Sequence, residues 1–215
     1  MKDKIFYRGS LIVIEGLDNT GKTTQCELLA EEFRVKNIPV KIQKFPDRST
    51  EIGRLINSYL SGTLELEDHA VHLLFSANRW EIIEKIRKYL EEGIFVVADR
   101  YIYSGIAFSV AKGLNIDWCK ASERGLLLPD CVIYLDVSQK KISQRQDYGS
   151  ERYETKTMQE NVQSIFKNIF ETDCSVYCPW YWINASNSIS QVKTEIWDVV
   201  QEIINNQTDK IHKFY

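Results

Sequence analysis

Eight consecutive residues in this chain have the types and spacing needed to hold phosphate. Gly16-Leu17-Asp18-Asn19-Thr20-Gly21-Lys22-Thr23 fits the pattern G-x-x-x-x-G-K-S/T. Glycines let the backbone curl until its N–H groups converge on one centre. Those groups open a helix, so they lack intrahelical partners, and the helix dipole adds attraction for an anion. Lys22 then reaches the β and γ phosphates of a nucleoside triphosphate, and Thr23 offers a hydroxyl to Mg2+. Thr24, next along, joins the same donor-binding set. An ordinary glycine turn before a helix is the bland alternative, and the motif together with its strand-loop-helix context outweighs it.

Asp18 is out of place in such a loop, because a carboxylate repels phosphate. It is either a solvated turn residue or a group turned towards the acceptor, holding a hydroxyl or an arginine there. Asp99 ends an apolar run, Ile94-Phe95-Val96-Val97-Ala98, as expected of a second Mg2+ element. Strands often end in Asp, so the signal gains weight only beside the loop. Arg100 would then lie beside the metal and neutralise charge on an acceptor phosphate. Arg48, in Phe45-Pro46-Asp47-Arg48-Ser49-Thr50-Glu51, is expected at the same mouth. Phe75 and Arg79 stand four apart, on one helical face, with His72 a turn earlier. A ring that stacks beside a planar cation that donates to a carbonyl makes a base-binding pair. A core Phe and a surface Arg are the bland alternative.

The elements that must position these residues alternate strand and helix. Leu11–Ile14, Val40–Ile42, Ile94–Ala98, Cys131–Leu135 and Trp180–Ile183 read as strands. Helical spacing covers Thr23–Val35, Ser49–Leu60, Asp68–Glu92, Thr155–Thr172 and Ile189–Ile204. Buried strands separated by helices predict an α/β three-layer sandwich with a five-stranded parallel sheet, its ligands beyond the C-terminal strand ends. A length of 215 residues suits one domain over 1–215, with a short hydrophilic lid at about residues 144–153. A net charge of −3 argues against a dedicated nucleic-acid binder. No apolar run is long enough to span a membrane. Five cysteines, Cys26, Cys119, Cys131, Cys174 and Cys178, match no zinc pattern and read as free thiols of a cytosolic or nuclear protein.

The loop alone leaves several classes open. GTPases need an N-K-x-D base reader, which is missing here, and a motor or helicase needs further motifs. A small phosphotransferase with two nucleotide sites fits the size. Beyond that, the blocks Phe45-Pro46-Asp47-Arg48-Ser49-Thr50, Leu74-Phe75-Ser76-Ala77-Asn78-Arg79-Trp80-Glu81, Asp99-Arg100-Tyr101 through Ser104-Gly105, Gly125 through Pro129-Asp130, and Glu151-Arg152-Tyr153-Glu154 resemble the thymidylate kinases of the eukaryotic type, in order from about Gly9 to the last helix. The resemblance implies a phosphate-loop kinase fold and transfer of the ATP γ-phosphoryl to dTMP with Mg2+, giving dTDP and ADP. It implies that Phe75 stacks on thymine and Arg79 hydrogen-bonds it, that Arg48 and Arg100 hold the acceptor phosphate, and that Asp18 lies near the sugar 3′-hydroxyl. Phe45, Ser104, Gly105, Phe108 and Tyr153 line that pocket by the same resemblance, with Gln159 a weaker candidate; Ala185, in Asn184-Ala185-Ser186 after the last strand, is expected to border adenine by its position. His72 is read as packing. A homodimer through helices that include the one beginning near Asp68 is also implied, with no nucleic-acid or membrane partner.

The chain departs from that pattern at Asn19, where eukaryotic relatives carry a basic residue facing the γ-phosphate. Arg145 and Arg152 in the lid are the candidates to replace the missing charge, as catalytic groups; two solvated loop arginines are the alternative. The rival functions are a monophosphate kinase of broader base specificity, acting on dUMP or dGMP, and a nucleotide-binding protein without catalysis. Intact Lys22, Thr23, Asp99 and Arg100 argue against the second.

Overall fold

The computed structural model describes residues 8–137, 151–173, 178–206 and 208–215. Five parallel strands form one sheet: β1 (Leu11–Gly16), β2 (Val40–Lys44), β3 (Phe95–Asp99), β4 (Cys131–Asp136) and β5 (Trp180–Asn184). Their spatial order is β2-β3-β1-β4-β5. The three middle strands are apolar until their C-terminal ends, where Glu15, Asp99 and Asp136 stand, because helices cover both of their faces. Edge strand β2 lacks that cover, so Lys41, Ile42 and Lys44 are exposed.

Seven helices are described: α1 (Lys22–Val35), α2 (Glu51–Leu60), α3 (Asp68–Glu91), α4 (Ile102–Ala111), α5 (Ile116–Glu123), α6 (Lys156–Asp173) and α7 (Ile189–Asn205). The apolar stripe of α1, Cys26, Leu29, Ala30 and Phe33, is buried as its spacing predicts. On α2 the stripe is narrower: Ile56 and Tyr59 are buried, but Leu55 faces outward. Thr50 caps α2 by accepting from the Gly53 N–H, and Ser188 and Gln191 cap α7 reciprocally.

Two helices, α4 and α5, carry no clear signal in the sequence. Helix α4 packs against α3, α5, α6 and β1, so it is apolar nearly all round and shows no amphipathic period. Helix α5 is only 8 residues long. Helix α4 lines the cleft described below, and α5 backs it through Glu123.

The register explains why the candidate residues converge. Strand β1 pairs with β3 so that Ile14 lies beside Asp99, and with β4 so that Gly16 lies beside Leu135. The phosphate loop and Asp99-Arg100 therefore leave the sheet side by side at its C-terminal edge. Among the described residues no helix is long and apolar enough to cross a membrane. Cys26, Cys119, Cys131 and Cys178 are buried free thiols, while Cys174 lies outside the described residues.

Candidate functional site

The loop after β1 has the shape its sequence predicts. Gly16 sits at φ 149°, and a Cβ there would come within 2.9 Å of the Leu135 carbonyl, so only glycine fits the entry to the turn. Leu17 and Thr20 are buried, Gly21 precedes α1, and Thr23 and Thr24 are exposed on its first turn. The Lys22 ammonium donates to the Leu17 carbonyl and lies 3.4 Å from the Thr20 hydroxyl. Burial lowers its pKa to about 8, with Arg100 adding to the fall and Asp18, Asp99 and Glu15 opposing it.

Thr23 Oγ1 donates to Asp99 Oδ2 at 2.5 Å. The hydroxyl of the loop and the carboxylate ending β3 thus form one pair of hard oxygen donors. Mg2+ is held by one or two such protein oxygens, with phosphate and water completing its octahedron. The donor set therefore fits Mg2+. Among the described residues no cluster of three or more His, Cys, Asp and Glu side chains offers an alternative metal cage.

Arg100 ties the phosphate loop to α4. Its backbone adopts φ 68°, a left-handed conformation unusual for arginine, and its N–H donates to the Ile14 carbonyl. From there Nη1 reaches the Gly16 carbonyl at 2.8 Å and the Ser104 hydroxyl at 3.0 Å, while Nη2 is ion-paired with Asp18. Phe108 lies under the guanidinium, 5.4 Å from ring centre to Cζ. Glu15, wholly buried on β1, accepts from the Ser104 hydroxyl and the Tyr101 and Ser104 N–H groups. Burial raises its carboxyl pKa, and the Ser104 bonds and Arg100 resist that rise. Asp18 is therefore not a solvated turn residue. Its second oxygen accepts from Gln159 Nε2 at 2.7 Å, and the Gln159 amide oxygen accepts from the Asp18 N–H at 3.0 Å. Gln159, the weaker candidate in sequence, is fully buried and also donates to the Tyr153 carbonyl.

A single cleft is lined by Asp18, Asn19, Lys22, Thr23, Phe45, Arg48, Phe75, Arg79, Asp99, Arg100, Ser104, Gly105, Phe108 and Tyr153. The structure thus brings together residues from the loop after β1, α1, β3, α3, α4 and the segments after β2 and before α6. Asn78, whose role spacing could not show, anchors one wall. Its side chain accepts from the Asp47 N–H at 2.7 Å and donates to the Asp47 carbonyl and Thr50 hydroxyl, holding the loop that carries Arg48. Phe108 and Tyr153 face each other at 5.3 Å between ring centres.

Arg79 departs from the bland expectation of a surface cation. It is 2% exposed, and Glu123 of α5 takes both Nε, at 2.8 Å, and Nη2. Glu123 is a site residue that sequence reasoning missed, because α5 itself was not visible. His72 is packing, as its position suggested: it is buried and bonded to Ser109, Ser122 and the Cys119 carbonyl.

Two described candidates, Arg152 and Ala185, are not part of the cleft lining. Arg152 stacks on Tyr59 at 4.3 Å, donates to the Tyr59 carbonyl and pairs with Glu65. Its cationic end is engaged by α2 and the segment after it, and it is not part of the cleft lining. Ala185 directly follows β5, buried, with its N–H bonded to the Asp136 carbonyl, and likewise does not line the cleft. Arg145 and most of the expected lid lie outside the described residues. Arg48 lines the mouth, where it is bonded to Asn57 and Glu151.

Comparison with known proteins agrees with this geometry. A family model described as thymidylate kinase matches residues 14–196. The putative thymidylate kinase 251L of Invertebrate iridescent virus 6 is 47% identical over 206 residues, covering 95% of this chain and 94% of its own length. The thymidylate kinase of Homo sapiens is 40% identical over 204 residues, covering 94% of this chain and 95% of its own. Among solved structures, thymidylate kinase from Candida albicans, reported with broad substrate specificity, superposes with a TM-score of 0.86 at 39% identity, covering 97% of this chain and 99% of that one. The chain belongs to the thymidylate kinase family, a phosphate-loop kinase fold that phosphorylates dTMP to dTDP.

Proposed function

We propose that ATP occupies the loop at Gly16–Thr23 and dTMP the cleft beside it, and that Arg100 joins the two halves of the reaction. The observation that carries this reading is the Arg100 guanidinium, bonded at once to the Gly16 carbonyl of the donor loop, to Asp18 and to Ser104 of the acceptor wall. Two anions must meet in line for a phosphoryl group to pass between them, so catalysis is mainly positioning and charge neutralisation. Loop N–H groups and Lys22 hold the triphosphate. Arg100 and Arg48 hold the acceptor phosphate. Thr23 and Asp99 would hold Mg2+, which when bound would supply charge neutralisation for the triphosphate. Phe75 stacks on thymine, Arg79 donates to it, and Tyr153 and Phe108 wall the sugar. A phosphomonoester is mostly dianionic near neutral pH, so no strong general base is demanded.

Asn19 brings no charge to the loop and lies 3.4 Å from Glu154. With Arg152 committed to Tyr59 and Glu65, Arg145 is the remaining candidate for the missing cation. Ala185 borders adenine through its backbone. The protein works as a homodimer through α2 and α3, supported by exposed Leu55, Leu73 and Trp80 on those helices. It acts in a reducing compartment, the cytoplasm or nucleus, in keeping with its buried thiols. Release of ADP, coupled to an indicator reaction, tests the assignment. With Mg2+ and ATP, dTMP should be turned over in preference to dUMP, dGMP and thymidine, and a chelator should abolish the rate. Unchanged turnover of dTMP by Arg100→Ala would refute the role given to Arg100, and light scattering on the purified chain checks the dimer.

A further inference from the structure

The Arg79–Glu123 pair sits behind the acceptor pocket with both side chains removed from solvent, at 2% and 0% exposure. A buried ion pair adds little net stability over apolar side chains of equal volume, so its presence calls for another use. The bonding of the fork indicates one. Nε and Nη2 are both spent on the two oxygens of Glu123. Nη1 makes no hydrogen bond among the described residues, yet it is not one of the sealed-off unpartnered atoms, and Arg79 lines the cleft. On the other side the guanidinium lies flat on α4: a Cβ at Gly105 would come within 2.5 Å of Nη2 and 3.0 Å of Nη1. Glu123 itself does not line the cleft.

We infer that Glu123 is the positioning residue for base recognition, gripping two of the three Arg79 nitrogens so that the third presents one fixed N–H edge to the base of the acceptor. This rests on the reading that Arg79 contacts the base. A bidentate carboxylate removes the rotational freedom of the fork, and a donor fixed in advance loses less entropy when it binds an acceptor. A carbonyl on the pyrimidine edge accepts from that N–H; an exocyclic amine at the same place does not. Glu123 thereby converts a long flexible cation into a selective donor. Ser122 and His72 support Glu123 in turn: the Ser122 hydroxyl is 3.4 Å and His72 Nε2 3.8 Å from Oε1.

The test uses steady-state kinetics of the full chain with dTMP, dCMP and ATP varied in turn. Glu123→Gln should raise the KM for dTMP about tenfold, leave the KM for ATP unchanged and shift kcat far less. It should also narrow the preference for dTMP over dCMP. Glu123→Asp keeps the charge but shortens the reach, so the KM for dTMP should fall between wild type and Glu123→Gln; it carries the test if Glu123→Gln does not fold. A dTMP KM unmoved in the Glu123 variants overturns the inference, and so does a parallel loss for dTMP and ATP, which marks a general effect on folding. Arg79→Ala separates the two ideas. If it leaves the dTMP KM unchanged, the reading of Arg79 fails and this inference fails with it. If it raises that KM while the Glu123 variants do not, only the role of Glu123 fails.

Discussion

Two arginines of the same cleft are each paired with a glutamate, and the pairs could hardly differ more. Arg79 and Glu123 are shut away from water between α3, α4 and α5. Arg48 and Glu151, at the mouth, remain 42% and 35% exposed. In the first pair water has almost no access to compete, so the pair acts as part of the scaffold. In the second, water and salt compete throughout, so the bond is weak and exchangeable. A site that must recognise a base needs the first kind of arginine. One that must admit and release a phosphate needs the second. Arg100 stands between them, half-buried and held on three sides, in keeping with the role proposed for it at both substrates.

The comparison can be broken most forcefully at Arg100. Arg100→Ala should lower kcat/KM for dTMP by roughly 100-fold or more, the scale of a lost preorganised electrostatic contact, in the ADP-release assay. The interior pair comes next. Arg79→Ala strands a buried carboxylate, and urea denaturation should show a loss of about 3–5 kcal/mol; a loss no larger than that of a surface pair would put Arg79 and Arg48 in the same class.

Lys22 supplies a test in pH. Its pKa in the free protein falls to about 8, chiefly through burial, so the charged form that phosphate needs is lost as pH rises through that value. kcat/KM for ATP reports the free enzyme and should drop above about pH 8, by roughly tenfold per unit, whereas kcat should hold to higher pH because bound phosphate retains the proton. Coincident profiles would contradict this.

Smaller effects are expected at the mouth. Glu151→Gln removes the anion beside Arg48 and should lower the KM for dTMP by up to about fivefold, with less effect at high salt. A higher KM would make Glu151 a substrate contact instead of a competitor. Arg152→Ala should change turnover by no more than about twofold, since its partners are Tyr59 and exposed Glu65. A large fall in kcat would restore it to the donor site.

Much of this could be read along the chain because it is local. A phosphate loop is a contiguous backbone device, so its eight residues and the strand and helix around it carry the whole signal. Helices such as α1 show their buried face through spacing alone. Helix α4 does not, because burial on all sides removes the polar half of the pattern, and α5 is too short to show one. With α5 invisible, Glu123 had no address. Asp18 posed the opposite problem: its oddness was plain in sequence, but its partners Arg100 and Gln159 lie 82 and 141 residues away.

The strand-and-helix alternation, the phosphate loop and the kinds of side chain on hand are written along the chain. Which arginines are held and which can exchange is settled only in three dimensions, because it depends on burial and on partners brought from distant elements. Folding sets Arg152 against Tyr59 and Glu65, and Glu123 behind Arg79. An ion pair is a property of two places in space, and its strength is set by how much water reaches them.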